Sequence, residues 1–193
     1  MSISAPVTTP IFTANLLANA LIGISTPQFA FAVATGLEIY AGTGLQVVSV
    51  DTGTLGVGVG TGLGVTVTPP VLIAALTASF SGHDLLGIMS PLMINGLSLA
   101  FSQSLAQANV VTINAGVGVG AGVTTLLSSP SASSAAWIAG FAAAGLDGPN
   151  IPQIASAIAQ GFDTAAPTAV GSVAIVGPPN IVPGAGAGIG QLK

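Results

Sequence analysis

"GVGVGTG", residues 56–62, is the stretch on which the fold reading turns, and a second version, "GVGVGAG", stands at residues 116–122. A dinucleotide fingerprint places G-x-G-x-x-G between a strand and a helix, and a P-loop ends in Gly-Lys-Ser/Thr. Neither spacing fits, and the chain's single Lys is its last residue, Lys193. What the stretch does show is strict alternation of Gly and Val. In an extended chain that alternation puts every Gly on one face and every Val on the other. The Val face can enter a core, and the bare Gly face lets another backbone come close. A flexible linker accounts for the Gly and leaves the Val unexplained, so the stretch reads as a close-packed structural strand.

Working outward, a shift of sixty positions aligns residues 10–62 with 70–122 without a gap. It places Pro10 on Pro70, Ala14 on Ala74, Leu16 on Leu76, Ala18 on Ala78, Gly36 on Gly96 and Leu37 on Leu97, and it superposes the two Gly-Val runs, Gly58 on Gly118 among them. A third copy follows at an offset of 125 from the first: Ala14 matches Ala139, Ala18 matches Ala143, Gly23 matches Gly148, Pro27 matches Pro152 and Gly36 matches Gly161. Its Gly-rich end, "GAGAGIG" at 184–190, arrives three residues late, after the insertion-like "PPN" at 178–180. Self-similarity at a long fixed period marks a repeat architecture.

Each unit reads alike. A first helix opens near Pro10, near Pro70 and after Ser129–Pro130, with small apolar residues four apart. A second helix follows a turn: "TPQFAFAVATGLEIYA", residues 26–41, offers Thr26 as N-cap and Pro27 at the first helical position, and "NIPQIASAIAQGF", residues 150–162, offers Asn150 and Pro152. In the second unit either Asp84 caps a helix from Leu85, or Ser90–Pro91 begins or kinks it. Then come β-branched runs, "LQVVSV" at 45–50, "NVVTI" at 109–113 and "SVAIV" at 172–176, each followed by a Gly-rich strand. The expected fold is therefore α+β and mostly helical. One structural domain, residues 1–193, is built of three tandem helix–helix–strand–Gly-strand units at 10–64, 70–125 and 130–191 in a pseudo-threefold arrangement. Gly36, Gly96 and Gly161 fall inside predicted helices, where Gly costs about 1 kcal/mol relative to Ala. Close contact with another element is the simplest compensation.

Composition narrows function more than it defines it. Hydrophobic residues make up 51% of the 193, and charged residues 3%, against roughly 25% in a soluble domain. The charged residues are Glu38, Asp51, Asp84, Asp147, Asp163 and Lys193. Without Arg or an internal Lys there is no basic patch for phosphates, so no direct nucleic-acid binding is expected. No Cys is present, which removes disulfides and thiolate metal sites. Met1–Pro10 holds no cation, so export by a Sec signal is not expected. The uncharged stretch Leu85–Leu146 is long enough to cross a bilayer, yet Pro and Gly interrupt it and no Lys/Arg asymmetry sets an orientation. A surface so poor in charge suits a chain covered by partners.

Catalysis needs convergent titratable groups. His83 beside Asp84 is the sole imidazole–carboxylate pair, and it reads as a loop His next to a helix-capping Asp. Glu38, Asp51 and Asp163 read as solvated or capping carboxylates, and the Ser and Thr hydroxyls lack a base to activate them. The expectation is a non-enzymatic chain with no catalytic, cofactor-binding or metal-binding residues.

With "TPQFAFAVATGLEIYA", its sequel "DTGTLGVGVG" at 51–60 and the repetition of that pattern in view, the sequence resembles the small, charge-poor, Ala/Gly/Val-rich virion structural proteins of tailed bacteriophages, contractile-tailed ones in particular. The resemblance implies a structural subunit of the virion in the tail, baseplate or neck, located in the particle, packed on a symmetry axis among identical chains or other virion proteins. It brings no site residues with it. The alternative, motivated by hydropathy, is a membrane-active protein such as a pore or holin-like factor.

Overall fold

Helices form where apolar residues recur three and four apart, and a single kind of turn joins them in pairs. The computed structural model describes residues 4–41, 69–104 and 134–166 with their side chains and, for 42–43, 46–54, 56–66, 105–106, 109–116, 119–127, 130–133, 170–176 and 184–192, the backbone alone; the remainder lie outside the described residues. The helices are α1 (Ala5–Ala18), α2 (Thr26–Thr43), α3 (Pro69–Gly82), α4 (Ser90–Ala106), α5 (Pro130–Ala143) and α6 (Ile151–Ala165).

Each odd-numbered helix ends in a Schellman motif, in which a left-handed residue lets two N–H groups turn back onto the last carbonyls. The left-handed residues are Ala20 (φ 59°), Asp84 (φ 55°) and Gly145 (φ 76°). The N–H of the next residue then donates back across the turn: Leu21 to the carbonyl of Leu16 at 3.0 Å, Leu85 to Phe80 at 2.9 Å and Leu146 to Phe141 at 3.0 Å. All three leucines pack onto the core. The following helix is tied to the same turn. The Thr26 hydroxyl donates to the Leu21 carbonyl at 3.1 Å and the Ser90 hydroxyl to the Leu85 carbonyl at 2.7 Å. Thr26 is thus the first residue of α2, with Pro27 second. Asn150 stands at the N-cap of α6, yet its side chain makes no capping bond. In the second unit the helix begins at Ser90, and Asp84 ends α3 rather than starting α4.

These turns set the repeat. Ala20 and Asp84 are 64 residues apart, and Asp84 and Gly145 are 61 apart. The ungapped offset of sixty is therefore one helical turn out of register for the first two helix pairs, whereas the offset of 125 holds. In structural register Leu37 corresponds to Phe101 and Phe162, and Gly36 corresponds to Ala100 and Gly161. The expected helix start near Pro10 also moves: α1 begins at Ala5 with a Pro in its first turn, and Pro10 lies inside it, on the exposed side.

Neighbouring helices pack in chain order, α1 on α2 through to α5 on α6, and α6 closes back on α1. The even-numbered helices are buried round most of their circumference and supply the centre. Ala30, Val33, Leu37 and Tyr40 of α2, Ile94, Leu97, Phe101 and Ser104 of α4, and Ala155, Ile158, Phe162 and Ala165 of α6 are all buried. Their three-four-three spacing matches from helix to helix. Across the middle, Phe101 meets Phe162 edge-on with ring centroids 5.4 Å apart, and Trp137 of α5 at 4.2 Å. The odd-numbered helices bury a narrower stripe, such as Ala5, Thr8, Phe12 and Leu16 on α1.

The close approach expected at the helical glycines is found at the seams between helix pairs. A Cβ on Gly36 would stand 2.6 Å from Cδ2 of Leu76, one on Gly96 2.5 Å from Cδ1 of Phe141, and one on Gly161 2.5 Å from Cδ1 of Phe12. Gly140, a glycine the sequence reading did not weigh, is tighter still against backbone, 2.6 Å from N of Ala100. A buried hydroxyl adds to the α2–α3 seam, where Ser79 donates to the carbonyl of Ala32 at 2.6 Å.

The expected α+β class is overturned. Over the residues described with their side chains the fold is all-helical, six helices and no strand, and each member of its core lies on a helix or in a turn beside one. The physical reason is ring closure: once α6 packs on α1, the buried stripes of the described helices cover one another. Of the segments read as strands the backbone alone is described, and Gly184–Leu192 approaches α2 while Gly56–Thr66 approaches α4. Their backbone is extended and pairs antiparallel in sequence order from Gln46–Thr54 to Gly184–Leu192, with Gly53 opposite Gly58 and Gly56 opposite Gly116. Gly118 and residues 178–180 lie outside the described residues.

Candidate docking surface

Because each turn joins an odd-numbered helix to the even-numbered one beside it, the three turns share one end of the ring. Contacts across the seam agree: Phe29, near the start of α2, packs edge-on against Phe80, near the end of α3, at 5.9 Å, and Phe31 packs against the His83 ring at 4.6 Å.

The turns hold their leucines inward and push the residues between them outward. In the first turn Ile22 is 80% exposed and Ile24 fully exposed; in the second, Ile88 is 97% exposed and Leu86 and Met89 are more than half exposed. The corresponding part of the third turn carries Asp147, Gly148, Pro149 and Asn150, all exposed. This outward set is fixed in place by the backbone. The Ser90 hydroxyl also accepts the N–H of Gly87 at 2.7 Å, which leaves little freedom to fold Ile88 away. Scattered exposed apolar residues are ordinary, but several on ordered turns at one end of the ring make that end a candidate docking surface.

The sequence reading missed these residues, although a signal was present. "LIGISTP" at 21–27, "LLGIMSP" at 85–91 and "LDGPNIP" at 146–152 share one pattern, L-x-G-x-x-x-P, which the offset of sixty hides and the structural register reveals.

The carboxylates named from sequence do not gather. Asp84 and Asp147 are exposed in the second and third turns, and His83 is half-buried against Phe31. Glu38 and Asp163 occupy corresponding positions of α2 and α6 and are half-buried within the helices, so neither caps a helix start. Asp51 lies in a segment described by its backbone alone. Among the described residues no group of three or more His, Asp or Glu side chains could hold a metal ion, and no helix is long and apolar enough to cross a membrane. Compared with known proteins, the chain matches no family model, no curated protein and no solved structure.

Proposed function

We propose that this chain is a non-enzymatic structural subunit of a virion, of the kind built into the tail, baseplate or neck of a tailed bacteriophage. It works by being packed against other structural proteins of the particle and against copies of itself. The observation that supports this most is the end of the ring where Ile22, Ile24, Leu86, Ile88 and Met89 project from ordered turns, in a chain with only six charged residues to keep it apart from its neighbours. Such a surface gains by being covered. The acidic balance, a formal net charge of −4, gives it no electrostatic hold on DNA. A pseudo-threefold ring of helices also meets a threefold or sixfold particle axis without distortion.

The test is mass spectrometry of particles purified on a density gradient from cells producing the chain. The chain should band with the particles in fixed stoichiometry. Absence from particles, with recovery only in membranes after high-salt and carbonate washes, would overturn this reading.

A further inference from the structure

The turn end has a chemistry of its own beyond being apolar, and it selects among the possible occupants. Two turns present aliphatic tips, Ile22 with Ile24 and Ile88 with Leu86 and Met89, while Asp84 stands exposed in the second turn and Asp147 in the third. The group of opposite sign nearest in sequence would be His83, whose ring is half-buried against Phe31. No Arg exists anywhere in the chain, and Lys193 is its only Lys.

A second copy meeting this face end to end would bring two pairs of carboxylates into one apolar seam with no Arg or Lys among the described residues to answer them, and like charges set against each other in a desolvated seam are costly. An anionic lipid surface would be repelled for the same reason, since such surfaces are held by Lys and Arg. A neutral bilayer would accept the isoleucines but would also have to take in Asp147 and Asn150 of the third turn at the same depth. What fits both features is a surface with recesses for aliphatic side chains and cations at their rim.

Resting on the reading of the chain as an assembly subunit, we propose that the turn end docks into an apolar recess of a different protein rimmed by Lys or Arg. Ile24 and Ile88 are the anchors, and Asp84 and Asp147 set the orientation. Well-packed anchors at the centre of a patch carry most of the binding, whereas rim charges govern approach and selectivity.

The test uses the full chain and two synthetic helical peptides of equal length, one of Leu and Lys and one with Glu in place of Lys, titrated by fluorescence anisotropy. The Leu/Lys peptide should bind saturably and the Leu/Glu peptide should not. Ile24→Asp and Ile88→Asp should each weaken binding about tenfold or more. Asp84→Asn with Asp147→Asn should weaken it several-fold and flatten its dependence on salt. Gln103→Asp, an exposed substitution near the opposite end of α4, is the control and should leave binding unchanged. Equal binding of both peptides, or binding indifferent to the isoleucine substitutions, would overturn the proposal. A dimer on sizing that Ile88→Asp dissolves would assign the face to a second copy, and flotation with phosphatidylcholine vesicles that Ile24→Asp abolishes would assign it to lipid; either result overturns it as well. None of these outcomes depends on whether the chain bands with particles, so the two readings fail separately.

Discussion

Replacing Gly140 with alanine tests the seam between the second and third helix pairs with a single methyl group. The added Cβ would lie 2.6 Å from N and 2.8 Å from Cα of Ala100, with that residue's Cβ also at 2.8 Å. Comfortable carbon contacts are about 3.5–4.0 Å, so α5 must withdraw from α4 by about an ångström. No side chain can rotate out of the way, because two of the three atoms are backbone. Withdrawal also loosens the Phe101–Trp137 contact on the same seam, where the centroids are 4.2 Å apart. Overpacking typically costs about 1–3 kcal/mol, and a backbone clash belongs at the upper end. Against it stands a gain of about 1 kcal/mol from replacing a helical Gly with Ala. The net expectation is a loss of about 2 kcal/mol, which lowers the melting temperature of a chain this size by about 4–8 °C. Trp137, the chain's one tryptophan, is fully buried and reports unfolding by fluorescence. Gly82→Ala is the control, since a Cβ there meets no atom within 4 Å; it should hold or raise stability. A Gly140→Ala protein as stable as the parent would refute the packing of α5 on α4 and the glycine argument with it.

Further outcomes are expected from the same architecture. Ala20→Gly should stabilise the chain by about 1 kcal/mol in urea denaturation, because Ala20 holds a left-handed φ of 59° that glycine adopts freely; Gly145→Ala should lose a similar amount. Phe101→Ala should cost about 3–5 kcal/mol and collapse the near-ultraviolet circular dichroism signal, since it empties the middle of the ring between Trp137 and Phe162. Ser79→Ala should cost about 1 kcal/mol by the same denaturation assay, the buried hydroxyl's bond to Ala32 being lost.

The helices are legible because their signals are local. Pro70 and Pro130 stand in the first turns of α3 and α5, whereas the small residues four apart, Ala14 with Ala18, Ala74 with Ala78 and Ala139 with Ala143, lie on the exposed side and the buried stripes run through residues such as Phe12, Leu16, Leu76 and Phe80. The glycines at 36, 96 and 161 are legible as close contacts because an interior helical Gly needs a compensating reason. The fold class is not legible, because it depends on α6 returning to α1, and nothing within any one unit announces that. The Gly-Val alternation suggests a layer of the core, whereas the core among the residues described with their side chains is helical. Register fails for an instructive reason: sixty aligns Gly-rich composition, which is abundant in this chain, whereas 64 and 61 align the turn pattern, whose Leu and left-handed residue have geometric duties. The docking surface is missed with it, since Leu21, Ile22, Ile24 and their counterparts gain meaning only when the leucines are seen to turn inward.

The three helix pairs share a backbone plan but not their contents, and the inequality runs the same way inside and out. At one set of matched positions the residues are Leu37, Phe101 and Phe162; three residues on they are Tyr40, Ser104 and Ala165, where one large side chain stands with two small ones. Outside, the three turns keep the same hydrogen bonds donated by the N–H groups of Leu21, Leu85 and Leu146 while their tips have become aliphatic, aliphatic and acidic. The turn needs only the leucine and a left-handed residue before it, so the residues between are released from structural duty. A ring of three identical tips would offer a partner three equivalent orientations. With Asp147 and Pro149 where the other turns carry Ile22 with Ile24 and Leu86 with Ile88, the proposed partner would have one orientation that matches apolar recess to apolar tip and cation to carboxylate. On the docking proposed above, the difference among the tips is the feature that would let a repeated scaffold take a single partner in a single pose.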